Sequence, residues 1–491
     1  MTSESRAHRW QLVLLLLTIS LLALRFCHLS ADFPVFHFYK QDGARFTDEG
    51  FYTGAALQHF TLGHAYLPGG WNPGVFMPVW PLLVGLMFHF TGISVVGARA
   101  LAVSCVCLSV LLAYAISRQY QSKTFACLTA VLIAANALEF FFGRLALLEP
   151  AFGMFLLLAI YIAGRVGPRG YATAVLVGLV FVVATLTKTT GPFVLPAILF
   201  PIWANNRQDR AAVWKLLATA LATIIILIGI AKIVWAHHYA RDAAIILGMS
   251  PLWQIENSPV RLLRFFFRGT WIDPVLFPLA LAAFIAASAR LRLLWRNPLF
   301  MIAFLWEAGY AAFIVYHYDG PPRYFVTMIV PTIWLALIFL EWMWSANKRV
   351  AMIATICVVA SVMWNVACIA DYLLHPQYTL VDASLRIKRL IVAEHASGAA
   401  ANELLIGRGA DEISLLSGGI PAMDSDGAMP LAQKLAVYHP DWFMNWTNAS
   451  AARLNTVASE RTLIQRGDFR GLDPSDGAGI LLFQVFPKHH R

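Results

Sequence analysis

Long apolar segments separated by short polar loops dominate the first 370 residues of the chain. Many of them have roughly 17–23 residues, about the length that an α-helix needs to cross a bilayer core of ~30 Å. Only helices and closed barrels satisfy their backbone in lipid, and the alternating ten-residue pattern of a barrel is absent from the sequence. The pattern therefore predicts an all-α polytopic membrane domain. We place its apolar segments at residues 10–28, 75–91, 95–117, 124–142, 147–164, 171–187, 191–204, 214–236, 274–290, 298–317, 325–345 and 349–370.

The distribution of Lys and Arg between the loops predicts the orientation of these helices. If residues 10–28 run outward and 75–91 do not cross, the inner loops carry two or three cations each. The short outer loops then carry one cation each. A crossing by residues 75–91 would move every later basic loop outside, so we expect this segment, broken by Pro78 and Pro81, to lie at the outer surface or to re-enter the membrane. About eleven crossings follow, with membrane-surface helices in the first outer loop and the C-terminus outside.

The composition changes sharply after residue 370. The last part of the chain, 371–491, is richer in Gly, Asp and Ser, and short strand-like and helical runs alternate in it. We therefore predict two domains, a transmembrane domain at 1–370 and a small extracytoplasmic α/β domain at 371–491.

Composition and charge narrow the class of partner. The chain is 59% hydrophobic, with a formal net charge of +10. Its cations lie mostly in short loops, where they face anionic lipid headgroups, so we expect membrane lipids and no nucleic acid as partners. All six cysteines lie in or beside apolar segments, which leaves neither a disulfide framework nor a Cys-rich zinc site.

Two adjacent carboxylates, Asp48 and Glu49, stand in the stretch QDGARFTDEGFYTG of the first outer loop. The chain has only 27 acidic residues, and a pair of them just beyond a membrane segment could supply a general base, a metal site or both. A solvated loop followed by an amphipathic helix is the alternative interpretation of the same residues.

The three lone outer cations, Arg144, Lys188 and Arg323, each belong to a compact polar group at a helix end. Arg144 is followed by Glu149, Lys188 stands in LTKTTGP, and Arg323 precedes Tyr324 in GPPRYF. Cations at a water–lipid boundary suit a lipid-linked phosphate, which Arg binds through two hydrogen bonds and Lys as a point charge. Each could instead extend from a helix end toward water, and Glu149 could cap a helix N-terminus.

The order of these motifs resembles the GT-C superfamily of membrane glycosyltransferases over residues 10–345. The resemblance is closest to the branch of lipid A aminoarabinose, galacturonosyl and protein O-mannosyl transferases. It rests on TDEGFYTGAAL, WNPGVFMPVWPLLVGLMFHFTGISVVGARALAV, FFGRLALLEPAFGMFLLLA, LTKTTGPFVLPAI and GPPRYFVTMIVPTIWLAL, which follow one another in the family's order. The resemblance implies a polyprenyl-phosphate sugar donor, an acceptor lipid, glycan or protein, and a site on the outer face of a bacterial inner membrane.

The resemblance also implies roles for single residues. Asp48 matches the catalytic base, Glu49 its acidic neighbour, and Glu149 a second-loop acid that is usually Asp in the family. Lys188, Arg323 and Tyr324 match the donor-phosphate region, to which the outer position of Arg144 adds a fourth candidate. Asn72-Pro73-Gly74 stands where the family often has His-Pro-Pro or Lys-Pro, so the cation expected there is missing.

Two questions stay open from the sequence. Family members differ in their need for a divalent metal ion, for which Asp48, Glu49 and Glu149 are the candidate ligands.

The leading hypothesis is inverting glycosyl transfer with Asp48 as the base. A transporter or flippase of lipid-linked sugar is the alternative and predicts polar sites near the midplane, and a receptor-like binding module is a third hypothesis.

Overall fold

The computed structural model describes residues 3–34, 44–234, 258–289, 296–316, 320–449, 451–473 and 478–488. The helices of its N-terminal part are α1 Ser3–Leu24, α2 Ala44–Leu62, α3 Val79–Thr91, α4 Val95–Tyr120, α5 Lys123–Ala135, α6 Ala137–Phe142, α7 Leu148–Ala163, α8 Tyr171–Thr187, α9 Leu195–Asn206, α10 Arg210–Val234, α11 Ser258–Arg268, α12 Leu276–Ala289, α13 Pro298–Tyr316, α14 Ile329–Ala346 and α15 Lys348–Leu374. Short 3-10 turns lie at Pro73–Val75, Gly191–Val194, Gly269–Trp271 and Pro322–Met328.

Every apolar segment read from the sequence contains a helix, and polar or proline residues interrupt two of them. The segment 124–142 divides at Asn136, whose Oδ1 accepts a hydrogen bond from the Glu139 N–H and so starts α6. The segment 75–91 becomes helical only after Pro78. The predicted outer segment 237–273 is described from residue 258 onward, so its two histidines, His237 and His238, lie outside the described residues.

Five helices of the described chain are long and apolar enough to cross a membrane. They are Val95–Tyr120, Arg210–Val234, Pro298–Tyr316, Pro322–Ala346 and the stretch Lys348–Ala396, which contains α15 and the following helix Thr379–Ala396, and six shorter apolar helices accompany them. The count of about eleven crossings therefore stays a prediction. Helix α3 has 13 residues and is about 20 Å long, too short for the ~30 Å hydrocarbon core.

The C-terminal part is a mixed α/β unit, as predicted. Its elements are α16 Thr379–Ala396, β1 Leu405–Gly407, α17 Ala410–Leu416, β2 Ala422–Asp424, α18 Leu431–Tyr438, β3 Trp442–Trp446, α19 Ala451–Glu460, β4 Arg461–Asp473 and β5 Ala478–Pro487. The five-stranded sheet has the order β2-β1-β3-β5-β4, in which β1 pairs in parallel with β2 and β3, and β5 runs antiparallel to β3 and β4.

One hydrophobic core joins the two predicted domains. Leu57 of α2 and Trp80 of α3 belong to the same buried cluster as Ile413 of α17 and Trp442 of β3. The C-terminal unit is therefore packed directly on the first outer loop rather than tethered to it.

Asp32, just after α1, makes a second connection to the C-terminal unit. Its carboxylate accepts hydrogen bonds from the backbone N–H groups of Leu380 and Val381 at 2.8 and 3.3 Å and from the Thr379 hydroxyl at 3.2 Å. These donors are the otherwise unpaired first turn of α16, so Asp32 caps that helix from a distant part of the chain.

We expect Asp32→Ala to weaken the attachment of α16 by about 1–2 kcal/mol, because it leaves buried N–H groups of the first turn without an acceptor. Thermal unfolding of the purified protein, with limited proteolysis near residue 379, measures the effect. Asp32→Asn keeps an acceptor and should lose less, and equal losses for both variants would contradict the capping role.

Candidate functional site

Asp48 lies on α2 and faces the loop that follows α13. Arg323 Nη2 is 2.8 Å from Asp48 Oδ2, and the two side chains are 14% and 15% exposed. The pair is thus partly accessible, which a residue that exchanges a proton with a substrate requires.

The loop that carries Arg323 is held from several sides. The Phe325 ring is buried and stacks on Phe265 of α11 with the centroids 5.9 Å apart. Two arginines of α11 donate to backbone carbonyls beside the loop, Arg261 to Tyr316 at 2.9 Å and Arg268 to Gly320 at 3.2 Å. These contacts fix the backbone from which Arg323 reaches Asp48.

A second ion pair lies beside the first one. Lys188 lies at the end of α8, and Glu149 lies in the first turn of α7. Lys188 Nζ donates a hydrogen bond to Glu149 Oε1 at 2.6 Å, and both side chains are buried. Lys188 Nζ is also 4.5 Å from the centroid of the Tyr324 ring, and the Arg323 guanidinium is 5.4 Å from the same centroid. The Tyr324 ring therefore connects the Asp48–Arg323 pair with the Glu149–Lys188 pair.

The structure thus brings together five of the predicted site residues from four separate parts of the chain. They are Asp48, Glu149, Lys188, Arg323 and Tyr324. The two remaining candidates, Glu49 and Arg144, face other partners.

Glu49 is an anchor for α2. Arg99 of α4 donates from Nε to Glu49 Oε1 at 2.8 Å and from Nη2 to Oε2 at 2.5 Å, and the Ala146 N–H donates to Oε1 at 2.7 Å. Arg99 also donates to the carbonyls of Leu29 and Ala31. Sequence reasoning missed Arg99, although a charge within the first turns of an apolar helix is itself a signal, because such a residue needs a partner.

Arg144 is turned away from the two ion pairs. Its Nη2 donates to the carbonyls of Cys27 and His28, and its guanidinium lies over the rings of Phe140 and Tyr372 at 5.0 and 4.9 Å. In the described part of the chain its contacts therefore hold the end of α1, and its assignment to a phosphate stays a prediction.

The candidate metal ligands Asp48, Glu49 and Glu149 do not form one ligand set. Each carboxylate faces its own cation. Among the residues described, no three of His, Cys, Asp and Glu are grouped in a way that could hold a metal ion. These residues do not fit a three-carboxylate metal site.

A cavity of about 260 Å³ is lined by Thr189, the residue that follows Lys188. Its wall is mostly apolar and includes Phe76 and Ile228, while Thr185, Thr189 and Lys232 supply polar groups. Lys232, at the end of α10, is the cation in the wall of this cavity.

Asn72 stands where the family often has a cation. Its Nδ2 donates hydrogen bonds to the carbonyls of Leu67 and Gly70.

Residues 34–242 match the family model described as dolichyl-phosphate-mannose-protein mannosyltransferase. No curated protein sequence matches the chain.

Two solved proteins share the fold. The Archaeoglobus fulgidus oligosaccharyltransferase, tethered to an acceptor peptide, is 13% identical with a TM-score of 0.56, over 98% of this chain and 74% of the other. ArnT from Cupriavidus metallidurans, bound to undecaprenyl phosphate, is 14% identical with a TM-score of 0.55, over 97% of this chain and 98% of the other. The apo form of ArnT gives a TM-score of 0.57.

These matches confirm the resemblance predicted from the sequence. Residues 34–242 match a protein mannosyltransferase family model, and the chain as a whole shares its fold with ArnT and with the archaeal oligosaccharyltransferase.

Proposed function

We propose that the protein transfers a sugar from a polyprenyl-phosphate donor to an acceptor lipid, glycan or protein on the extracytoplasmic face of the membrane. The observation that carries this proposal is the contact of Asp48 with Arg323, beside the Lys188–Glu149 pair. A carboxylate and two cations at helix ends supply a proton acceptor and a phosphate site in one place.

Asp48 is the general base of the proposed reaction. It takes the proton from the acceptor hydroxyl or amine while that atom attacks the anomeric carbon of the donor. The bond from that carbon to the phosphate oxygen breaks, and its electron pair leaves with the lipid phosphate. Attack from the side opposite the phosphate inverts the anomeric configuration.

Lys188 and Arg323 stabilise the departing phosphate. Arg has five N–H donors, so Arg323 can contact a phosphate oxygen while it still holds Asp48. Glu149 keeps the buried Lys188 charged and oriented, and its Oε2 has no hydrogen-bond partner in the described part of the chain. We assign Glu149 a role in orienting the acceptor through this oxygen.

The cavity lined by Thr189, the residue after Lys188, suits the start of an isoprenoid chain. Its wall combines apolar side chains with Lys232, Thr185 and Thr189, which matches a ligand with a phosphate at one end and a hydrocarbon at the other. The undecaprenyl phosphate bound to ArnT supports a lipid-phosphate donor for this chain. The acceptor peptide tethered to the Archaeoglobus fulgidus oligosaccharyltransferase supports a protein among the candidate acceptors.

We expect Asp48→Asn to lower turnover by about 10²–10⁴-fold, because the amide cannot accept the acceptor proton. Transfer of a labelled sugar from a polyprenyl-phosphate donor, measured in membranes, checks this. Asp371→Asn is the matched control, since Asp371 is an exposed carboxylate beyond the end of the predicted membrane domain. Near-normal turnover by correctly inserted Asp48→Asn would remove Asp48 from this role.

The same assay separates the enzyme from a flippase. A transferase releases free polyprenyl phosphate for each sugar transferred, whereas a flippase leaves the donor intact. Donor that crosses the bilayer without cleavage would favour the flippase.

We expect Lys232→Ala to raise the donor KM about tenfold with a smaller change in kcat, because a charge-assisted contact is worth roughly 1.5–3 kcal/mol. Lys232→Arg should retain most of the affinity. Lys215→Ala is the control at the opposite end of the same helix. An unchanged donor KM for Lys232→Ala would exclude Lys232 from the donor site.

A further inference from the structure

The C-terminal domain touches α2 directly beside Asp48 and Glu49. The backbone N–H of Gly50 donates to Glu412 Oε2 of α17 at 2.6 Å. Gly50 and Gly54 are four residues apart and therefore lie on one face of α2, and Gly54 faces the Asp411 carboxylate. Helix α17 therefore packs on the face of α2 that is formed by the two glycines.

Glycine at position 50 is required by this close approach. A Cβ there would lie under 3.0 Å from backbone atoms of Asp411 and Glu412, a separation that real Cβ atoms essentially never show. Because the atoms in the way belong to the backbone of α17, no side-chain rotation could relieve the clash. The two helices could then meet only if one of them moved.

Glu412 is an unusual residue at such a contact. It is fully buried, and its second oxygen, Oε1, has no hydrogen-bond partner among the residues described. Burial, followed by the nearby Glu49 carboxylate, raises the pKa of Glu412 well above its usual range. A buried carboxyl with one partner destabilises a fold relative to an apolar side chain of similar size, so this residue has a purpose other than packing.

We propose that Glu412 is a positioning residue, through which the C-terminal domain holds α2 where Asp48 meets Arg323. The proposal rests on the function proposed above. It makes residues 371–491 part of the machinery that sets the site geometry, in place of a separate recognition module.

Two contacts on consecutive residues then fix α2. Arg99 of the membrane domain holds Glu49, and Glu412 of the C-terminal domain holds Gly50. Asp48 is the next residue toward the helix start, and it pairs with Arg323 across the site. A shift of α2 by about 1 Å would therefore separate Asp48 from the reacting atoms, and displacements of that size can lower rates about 10²-fold.

Hydrogen–deuterium exchange of α2 in the full-length protein tests the contact without reference to activity. We expect Glu412→Ala and Gly50→Ala each to speed exchange of the amides at 48–57 by about tenfold or more, because the anchor is removed. Glu412→Gln should stay near wild type, since its amide oxygen can still accept from the Gly50 N–H. Glu394→Gln, a half-buried carboxylate on α16, and Gly153→Ala, a helical glycine with open space around it, are the matched controls.

Glycosyl transfer by the same proteins tests the positioning role. We expect Glu412→Ala and Gly50→Ala to lower kcat by about tenfold or more with the donor KM within about twofold, because the donor cations stay in place. Glu412→Gln should recover most of kcat, and a loss that merely reflected misfolding would lower the yield of folded protein and raise the donor KM as well.

Two results would overturn the proposal. One is wild-type exchange of α2 in Glu412→Ala, and the other is faster exchange with unchanged kcat. If the wild-type protein transfers no sugar from any polyprenyl-phosphate donor, the proposed function fails, while the exchange data still decide whether Glu412 holds α2.

Discussion

The pairing of carboxylates with cations at the outer helix ends is the constraint on which the rest of the structure depends. Removing a charge from water costs several kcal/mol even after relaxation, so a buried charge requires a close partner. Asp48, Glu49 and Glu149 meet Arg323, Arg99 and Lys188 at 2.5–2.8 Å. These pairs connect α2 with α4 and with the loop before α14, and they connect α7 with the end of α8.

The same pairing gives a balanced charge to the proposed reaction. Before the donor binds, the two carboxylates of the site offset its two cations. When Asp48 accepts the proton it becomes neutral, and Arg323 then faces the phosphate with its full charge. The cation that stabilises the leaving group is thus released at the moment when negative charge develops there, which is the arrangement that lowers a barrier most effectively.

The connection between the two parts of the chain has the same physical basis. The shared core of α2, α3, α17 and the sheet buries apolar surface from both parts. Asp32, in the segment after α1, caps the first turn of α16. Glu412 of α17 accepts a hydrogen bond from the Gly50 N–H of α2. A boundary drawn at 370/371 describes a change of composition, whereas the packing joins the C-terminal unit to α2, the helix that carries Asp48.

The sequence by itself predicted the helices, the mixed C-terminal unit and five candidate residues that the structure brings together. A run of apolar residues predicts a membrane helix from the local sequence alone. The motifs around Asp48, Lys188 and Arg323 lie near the ends of such runs. Only the tertiary structure decided which charges meet. Arg99 takes both oxygens of Glu49, Arg144 turns to the end of α1, and Glu412 reaches Gly50 across 362 positions. Such pairs depend on how helices that are distant in the sequence pack together, and the local pattern of apolar and polar residues does not predict that packing.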